Sequence, residues 1–274
     1  MTQLIRQERA GEPVPPPPAK LFKVVQYPSS LGSLSAYLTP APGDGKRHPA
    51  IIWIFGGFGN GIDDAGWQKF PASNDQSASA FREAGIVMMY PSFRGGNQNP
   101  GFVEGFYGEV DDVLAAAKFL EEQDYVDPQR IYLGGHSTGG TLALLVAEVT
   151  NRFRAVFSFG PVANVRGYGS DKLPINLANR KEVALRSPLK WLDGVRGPTF
   201  VLEGAGGRSN IDSLREMARA TRNPAIRFHA VKGVDHFSIL APVTQLLAAK
   251  VLQDDGTNCM ISFTDEELAR SLKR

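Results

Sequence analysis

Ser137 lies in the setting that most clearly indicates chemistry in this chain. Gly135 and Gly139 flank it in the pattern G-x-S-x-G, between an apolar strand pattern at residues 130–133 and an apolar helix pattern that begins at residue 139. A serine on such a strand-to-helix turn has a strained backbone that lifts its hydroxyl clear of the sheet. Glycines are needed there because strand and helix pass too closely for side chains. We predict that Ser137 is a nucleophile, the alternative being a tight turn without chemistry.

Four histidines could supply the base that a serine hydroxyl needs near neutral pH. His48 precedes an early strand, His136 belongs to the turn itself and His229 alternates within a strand. His236 instead follows the last predicted strand, and loops at this end of parallel strands are where the sites of α/β proteins assemble. We therefore predict that His236 is the base, the alternative being a loop histidine that caps the following helix.

The acid that orients this histidine should lie between serine and histidine in the chain. Glu203 ends a predicted strand that should be central and buried, where an unpaired charge would be costly. Asp212 begins the next helix, where the helix dipole also accounts for an acid. We favour Glu203, with Asp212 second and Asn210 as a neutral third candidate. Asp235 adjoins His236 in sequence, so we expect it to have a surface role instead.

Acyl transfer also needs hydrogen-bond donors for the oxyanion of the tetrahedral intermediate. The backbone N–H of Thr138, the residue after the nucleophile, is the first candidate. The second should come from the glycine-rich loop at residues 56–61, where Gly57 or Phe58 could approach a substrate carbonyl. A flexible loop without a role is the alternative. A dinucleotide-binding loop is excluded because Ile62 stands where the third glycine of that motif would be.

Strand and helix patterns alternate from residue 50 onward, which is typical of a mostly parallel, twisted sheet with helices on both faces. The fold class is therefore predicted to be α/β. The predicted strands cover residues 21–27, 34–38, 50–55, 86–90, 130–133, 155–159, 199–202 and 226–231. The predicted helices cover residues 77–84, 109–122, 139–150, 211–221 and 242–252, with a last one after residue 264.

The chain divides into a leader and one domain in this interpretation. Residues 1–20 are rich in proline and are predicted to form a flexible, extended leader outside the core. Residues 21–274 are predicted to form a single domain. The stretch 161–192 is too long for an ordinary connection between strand and helix, so we predict a lid-like insertion there.

Composition excludes several other classes of protein. The net charge of +2 and the scattered basic residues give no indication of nucleic-acid or anionic-membrane partners. Cys259 is the only cysteine, so neither an intrachain disulfide nor a cysteine metal site is expected. The N-terminus lacks the apolar segment of a secretory signal, and no apolar run is long enough to span a bilayer. We expect a soluble cytoplasmic protein.

The ordered series of motifs resembles the catalytic domain of the prolyl oligopeptidase family, within the α/β-hydrolase fold. The resemblance covers about residues 48–247 and implies a serine-type peptidase. The matching segments are residues 54–58 for the oxyanion strand and loop, 92–96 for an Arg-Gly-Gly turn, 111–140 for the helix, strand and nucleophile turn, and 233–237 for the histidine loop.

Three features depart from the family's pattern. Phe55 stands where the family has a tyrosine, so a side-chain donor for the oxyanion is missing. Gly207 stands where the family has its acid, which leaves the identity of the acid open. Members with a propeller carry hundreds of residues ahead of the hydrolase segment, whereas here that segment begins near residue 48.

We therefore predict a serine hydrolase that forms an acyl-enzyme on Ser137, with His236 as base and then acid. The resemblance implies a peptidase acting on a short peptide or small molecule. The alternatives are a carboxylesterase or thioesterase acting on small esters, and a non-catalytic domain of the same fold used for binding. Neither a metal nor an organic cofactor is expected, and the sequence does not determine the oligomeric state.

Overall fold

Eight strands form one sheet in the order β1-β2-β4-β3-β5-β6-β7-β8. The computed structural model describes residues 2–169 and 171–273. β1 pairs antiparallel with β2, and β2 pairs antiparallel with β4, whereas every other pair is parallel. The mostly parallel sheet predicted from the alternating patterns is thereby confirmed. The strands are β1 (Lys23–Ser29), β2 (Gly32–Leu38), β3 (His48–Ile54), β4 (Val87–Pro91), β5 (Val126–His136), β6 (Val156–Phe159), β7 (Thr199–Gly204) and β8 (Ile226–Val231).

Helices cover both faces of this sheet, and each face has its own apolar core. Successive side chains of a strand point to opposite faces of the sheet, so a single strand contributes to both cores. In β3, Ile52 and Ile54 belong to one core and Ile51 and Trp53 to the other. No helix within residues 2–169 and 171–273 is long and apolar enough to cross a membrane. The helices are α1 (Ala80–Glu83), α2 (Glu109–Glu121), α3 (Thr138–Ala147), α4 (Arg180–Arg186), α5 (Ile211–Ala220), α6 (Leu240–Gln253) and α7 (Asp265–Ser271).

Two helices differ from the prediction. α1 begins at Ala80 rather than at residue 77, because Asp75 binds the hydroxyls of Ser77 and Ser79 and because Ala78 has a left-handed backbone with φ of 48°. A residue in that conformation cannot continue a right-handed helix. α4 lies within the predicted insertion and was not predicted at all. It begins where the Asn179 side chain accepts hydrogen bonds from the first backbone N–H groups of the helix.

The segment predicted as a flexible leader lies along the surface and is tied to the rest of the chain. Its backbone hydrogen bonds join Ile5 to Pro174 at 2.8 Å and Ala10 to Gly95 at 2.7 Å. Pro15 accepts a third, from the hydroxyl of Tyr37 at 2.7 Å. Ile5 and Ala10 donate through their backbone N–H groups, whereas Pro15, which has no N–H, takes part only through its carbonyl. The boundary at residue 20 between a leader and the domain stays a prediction.

The predicted insertion is anchored by a buried arginine. Arg186 has no exposed surface, and its guanidinium binds the Glu182 carboxylate at 2.7 Å and the Glu104 carbonyl at 2.9 Å. It also contacts the hydroxyl of Thr2, so the start of the chain joins the same network. A buried guanidinium is stable only when its donors are paired in this way. The network fixes one side of the segment 161–192, whose role as a lid stays a prediction.

Glu148, directly after α3, is a buried carboxylate without a hydrogen-bond partner among the described residues. Burial raises the pKa of this side chain well above its usual value. The folded protein therefore binds more protons at this site than the unfolded chain does. Stability falls as the pH rises from the ordinary carboxyl pKa towards the raised one.

Replacing Glu148 by glutamine is expected to raise the free energy of unfolding, because the amide cannot ionise. The gain should be near zero at acidic pH and grow to roughly 1–2 kcal/mol at alkaline pH. Chemical denaturation followed over that pH range measures it. The exposed Glu122, changed to glutamine, is the matched control and should show no such trend. A gain that does not vary with pH would contradict the proposed cause.

Candidate active site

The turn at Ser137 joins β5 to α3 and has a strained backbone. Ser137 has φ of 58° and ψ of −114°, a combination that costs a non-glycine residue about 1–3 kcal/mol. Its N–H is bound to the carbonyl of Phe159 at 2.8 Å, which helps to hold the turn. A Cβ on Gly139 would overlap the carbonyl oxygen of Ile54, and one on Gly135 would overlap the carbonyl of Gly139. The close passage of strand and helix inferred from the two glycines is present.

His236 and Glu203 are joined by a buried hydrogen bond. The distance from His236 Nδ1 to Glu203 Oε2 is 2.9 Å, and the Glu203 side chain is 1 % exposed. Glu203 also accepts hydrogen bonds from the backbone N–H of Gly204 at 2.7 Å and of Asn210 at 3.1 Å. A carboxylate at this distance fixes Nδ1 as the protonated nitrogen and leaves Nε2 free to accept a proton.

The other acidic candidates lie elsewhere. The Asp212 side chain is 95 % exposed and contacts Arg215 at 3.3 Å. Asp235 turns back on its own loop, where it accepts hydrogen bonds from the N–H groups of Phe237 and Ser238. Those bonds, with the hydroxyl of Ser238, lower the pKa of Asp235. Of the three carboxylates considered, the structure brings only Glu203 to His236.

Gly160, at the end of β6, leaves the space that the histidine and glutamate occupy. It has φ of 60°, and a Cβ there would lie 2.6 Å from His236 Nδ1 and 2.8 Å from Glu203 Oε2. Its carbonyl accepts a hydrogen bond from the side chain of Asn210 at 2.8 Å. The sequence analysis missed this residue, although a glycine directly after a buried strand was a signal that could have indicated it.

Gly160→Ala is expected to lower kcat about a hundredfold or more, because the new methyl group displaces the imidazole from the carboxylate. It should also lower the free energy of unfolding by about 1–3 kcal/mol. Steady-state kinetics with thermal unfolding separates the two effects. Gly43→Ala is the matched control, since Gly43 has φ of 77° and an added Cβ would meet nothing within 4 Å. Undiminished kcat in Gly160→Ala would contradict this account.

His136 supports the site from within the sheet. It is fully buried, and its Nε2 donates a hydrogen bond to the backbone carbonyl of His236 at 2.9 Å. The two imidazole rings lie 4.5 Å apart between centroids. Burial lowers the pKa of His136 to about 3, and the neighbouring His236 acts in the same direction. His136 therefore stays neutral at physiological pH and holds the His236 loop without adding charge.

The glycine loop predicted to bind an oxyanion passes directly over the start of α3. Gly57 has φ of 111°, and its carbonyl accepts a hydrogen bond from the hydroxyl of Thr138. In the described part of the chain, the backbone N–H groups of Thr138, Gly57 and Phe58 donate to no acceptor. Unpaired N–H groups gathered at one place are what stabilises a developing oxyanion.

A hydrogen bond between Asn60 and Glu109 joins the glycine loop to the start of α2. The amide of Asn60 donates to Glu109 Oε1 at 2.9 Å and to the backbone carbonyl of Arg94 at 2.8 Å. Burial raises the pKa of Glu109. Arg94 is in turn paired with the buried Asp112 of α2 at 2.8 Å, which ties the Arg-Gly-Gly turn to the same helix. The loop is thus fixed to α2, and neither Asn60 nor Glu109 was singled out from the sequence.

One cavity of about 510 Å³ is lined by both Ser137 and His236. Thr138, Gly57 and Phe58 line the same cavity, so the predicted nucleophile, base and oxyanion donors share one space. No hydrogen bond joins the Ser137 hydroxyl to His236 among the described residues. Such bonds are often long without substrate and tighten in the reacting complex. Residues 2–169 and 171–273 contain no cluster of three or more side chains able to hold a metal ion.

Comparison with known proteins finds similarity to peptidases of the prolyl oligopeptidase family. The model of the prolyl oligopeptidase family matches residues 72–188. The probable dipeptidyl-aminopeptidase B of Aspergillus terreus is 26 % identical over 165 residues, which are 56 % of this chain and 17 % of that protein. The uncharacterized peptidase YuxL of Bacillus subtilis is 29 % identical over 138 residues, 44 % of this chain and 21 % of that protein. The chain thus spans only a small part of the length of these relatives.

Solved structures of low sequence identity share the fold. The acylaminoacyl peptidase of Pyrococcus horikoshii superposes with a TM-score of 0.70 at 16 % identity, covering 90 % of this chain and 44 % of that one. A puromycin-hydrolyzing peptidase of Mycobacterium tuberculosis gives 0.65 at 21 % identity, covering 85 % and 39 %. The chain therefore has the α/β-hydrolase fold. The predicted resemblance to the prolyl oligopeptidase family is confirmed by the family model and by the relatives named as peptidases.

Proposed function

We propose that this protein transfers the acyl group of its substrate to the hydroxyl of Ser137 and then to water. The observation that carries the proposal is the 2.9 Å bond between the buried Glu203 and His236, at a cavity shared with a serine on a strained turn. A neutral imidazole held by a carboxylate is the base that a serine hydroxyl lacks.

The first half of the reaction forms the acyl-enzyme. His236 Nε2 takes the proton of the Ser137 hydroxyl while Oγ bonds to the substrate carbonyl carbon, and the carbonyl oxygen becomes an oxyanion. The N–H groups of Thr138 and of Gly57 or Phe58 are the donors for that oxyanion. His236 then returns its proton to the leaving amine or alcohol as the bond to the carbonyl carbon breaks. Glu203 stays ionised and stabilises the imidazolium.

The second half repeats these steps with water. His236 accepts a proton from water as the hydroxide adds to the acyl carbon, and a second oxyanion forms at the same donors. Collapse of this intermediate releases the carboxylic acid and returns the proton to Ser137 Oγ. Loss of one oxyanion donor typically costs a hundred- to a thousandfold in rate, that is about 3–4 kcal/mol.

The substrate we propose is a short peptide or a small acylated amine, hydrolysed by a serine-type peptidase. Its support is the family match and the relatives named as peptidases. The same Ser137, His236 and Glu203 would hydrolyse a small ester, because both reactions pass through a tetrahedral intermediate. Paired amide and ester substrates with the same acyl group distinguish peptidase from carboxylesterase or thioesterase activity. We propose a cytoplasmic location from the sequence alone.

Reaction of the folded protein with a fluorophosphonate probe tests this proposal. An activated serine should be labelled in the native protein, and peptide mapping by mass spectrometry should find the adduct on Ser137. Heat-denatured protein is the control and should not react, because the arrangement of base and nucleophile is lost. If well-folded protein is not labelled, the hydrolase proposal is wrong and a binding domain of the same fold becomes the better account.

A further inference from the structure

The charged side chains that line the proposed active-site cavity are cations. Of the residues that line it, Lys172 and Arg208 carry a charge at neutral pH, and none among those described is aspartate or glutamate. Glu203 lies behind His236 with its side chain 1 % exposed and both oxygens bound. His136 is neutral because burial lowers its pKa to about 3. The two charged side chains that line the cavity are therefore both cationic.

Arg208 lies next to the base. Its backbone carbonyl accepts the N–H of His236 at 3.0 Å, which fixes its position in the loop after β7. Its side chain is exposed, and its guanidinium makes neither an ion pair nor a hydrogen bond with any described residue. An unpaired guanidinium beside a reacting centre is well suited to a carboxylate, which it can bind with two parallel hydrogen bonds.

Lys172 reaches the cavity from a different segment, the predicted insertion. Its ammonium contacts Asp171 at 2.9 Å, but that carboxylate is 72 % exposed and the lysine 49 % exposed. Exposed pairs of this kind are weak because solvent screens them, so Lys172 can exchange Asp171 for a substrate group at little cost. Phe58 and Tyr168, whose rings meet edge to face at 5.2 Å, supply the apolar surface between.

We propose that Arg208 and Lys172 select substrates that carry a carboxylate near the scissile bond, on the acyl side. The inference rests on the proposed hydrolase function and names its substrate class: N-blocked, anionic acyl compounds or peptides. A substrate with a free ammonium group at the same place would meet two like charges and no described carboxylate facing the cavity. Like charges within one small cavity repel each other even when solvent is present.

Three p-nitrophenyl esters of alanine that differ in the charge of the N-acyl group test this inference. N-succinyl-alanine ester is anionic, N-acetyl-alanine ester is neutral and N-(β-alanyl)-alanine ester is cationic. We expect kcat/KM to fall in that order, by about tenfold at each step, mainly through KM. About 0.5 M sodium chloride should largely remove the preference, because it screens exposed charges.

Charge reversal at either position should remove the preference for the anionic ester. Arg208→Glu and Lys172→Glu are expected to lower the ratio of anionic to neutral kcat/KM at least about tenfold, whereas Arg208→Lys should keep most of it. Lys20→Glu changes the net charge equally at an exposed position outside the cavity and should leave the ratio unchanged. If the neutral ester is hydrolysed but the charge of the N-acyl group makes no difference, this inference is wrong and the proposed hydrolase function still stands. If none of the three esters is hydrolysed, the result counts against the proposed function.

Discussion

Replacement of Ser137 by alanine is expected to lower kcat at least about 10⁴-fold while the protein stays folded. The reason is that Oγ is the only atom in this account that bonds to the acyl carbon, and the other parts of the site cannot replace it. Alanine occupies the same backbone at φ of 58° without a new contact, so the free energy of unfolding should hardly change. Turnover of an activated ester and thermal unfolding are the two measurements.

Ser158→Ala is the control for this experiment. Ser158 is fully buried, and its hydroxyl donates to the carbonyl of Gly140 at 2.8 Å, close behind the turn. Its replacement should cost about 1 kcal/mol of stability through the lost hydrogen bond and leave kcat within a few-fold. If Ser137→Ala retained more than a few per cent of the wild-type kcat, the acyl-enzyme mechanism would be wrong.

Replacement of Glu203 by glutamine is expected to lower kcat by about 10³- to 10⁴-fold. Glutamine has nearly the same shape but no negative charge, so it can neither stabilise the imidazolium of His236 nor fix the tautomer that leaves Nε2 free. The packing of β7 should be preserved, because the neutral amide is less costly to bury than the carboxylate. The ratio of kcat between variant and wild type, measured with one activated ester, gives the effect.

Asp212→Asn is the matched change, since Asp212 is the second acidic candidate and its exposed side chain contacts only Arg215 among the described residues. It should leave kcat within about twofold, because exposed pairs of this kind contribute little. A large loss in Asp212→Asn with a small one in Glu203→Gln would reverse the assignment of the acid and would contradict the geometry of the His236–Glu203 pair.

Much of the fold follows from local pattern. All eight strands were predicted within a few residues, because alternating or continuous apolar runs report which faces of a strand are buried. The prediction was wrong for two helices, α1 and α4, whose limits depend on individual side chains and not on the apolar pattern. Asp75 and the left-handed Ala78 shorten α1, and α4 depends on capping by Asn179 within a segment that has no clear apolar period.

The turn at Ser137 is predictable from local sequence, since two glycines, a serine and the flanking strand and helix patterns lie within a few residues of one another. The sequence also placed His236 correctly at the end of β8, because chain order fixes which ends of parallel strands share an edge. It favoured Glu203 as the acid but left Asp212 as an alternative. Glu203 lies at the end of β7 and Asp212 at the start of the next helix, and their positions along the chain say little about which side chain faces the histidine.

The tertiary structure made that decision through strand pairing. β7 lies between β6 and β8, so the end of β7 places Glu203 next to the His236 loop, while Gly160 at the end of β6 leaves room for the pair. Asp212 lies beyond this edge, on the exposed side of α5. The same packing gathers Arg208 and Lys172 at one cavity from segments far apart in sequence. Contacts of this kind depend on which strands pair and how loops pack over them, whereas local sequence patterns report only on neighbours along the chain.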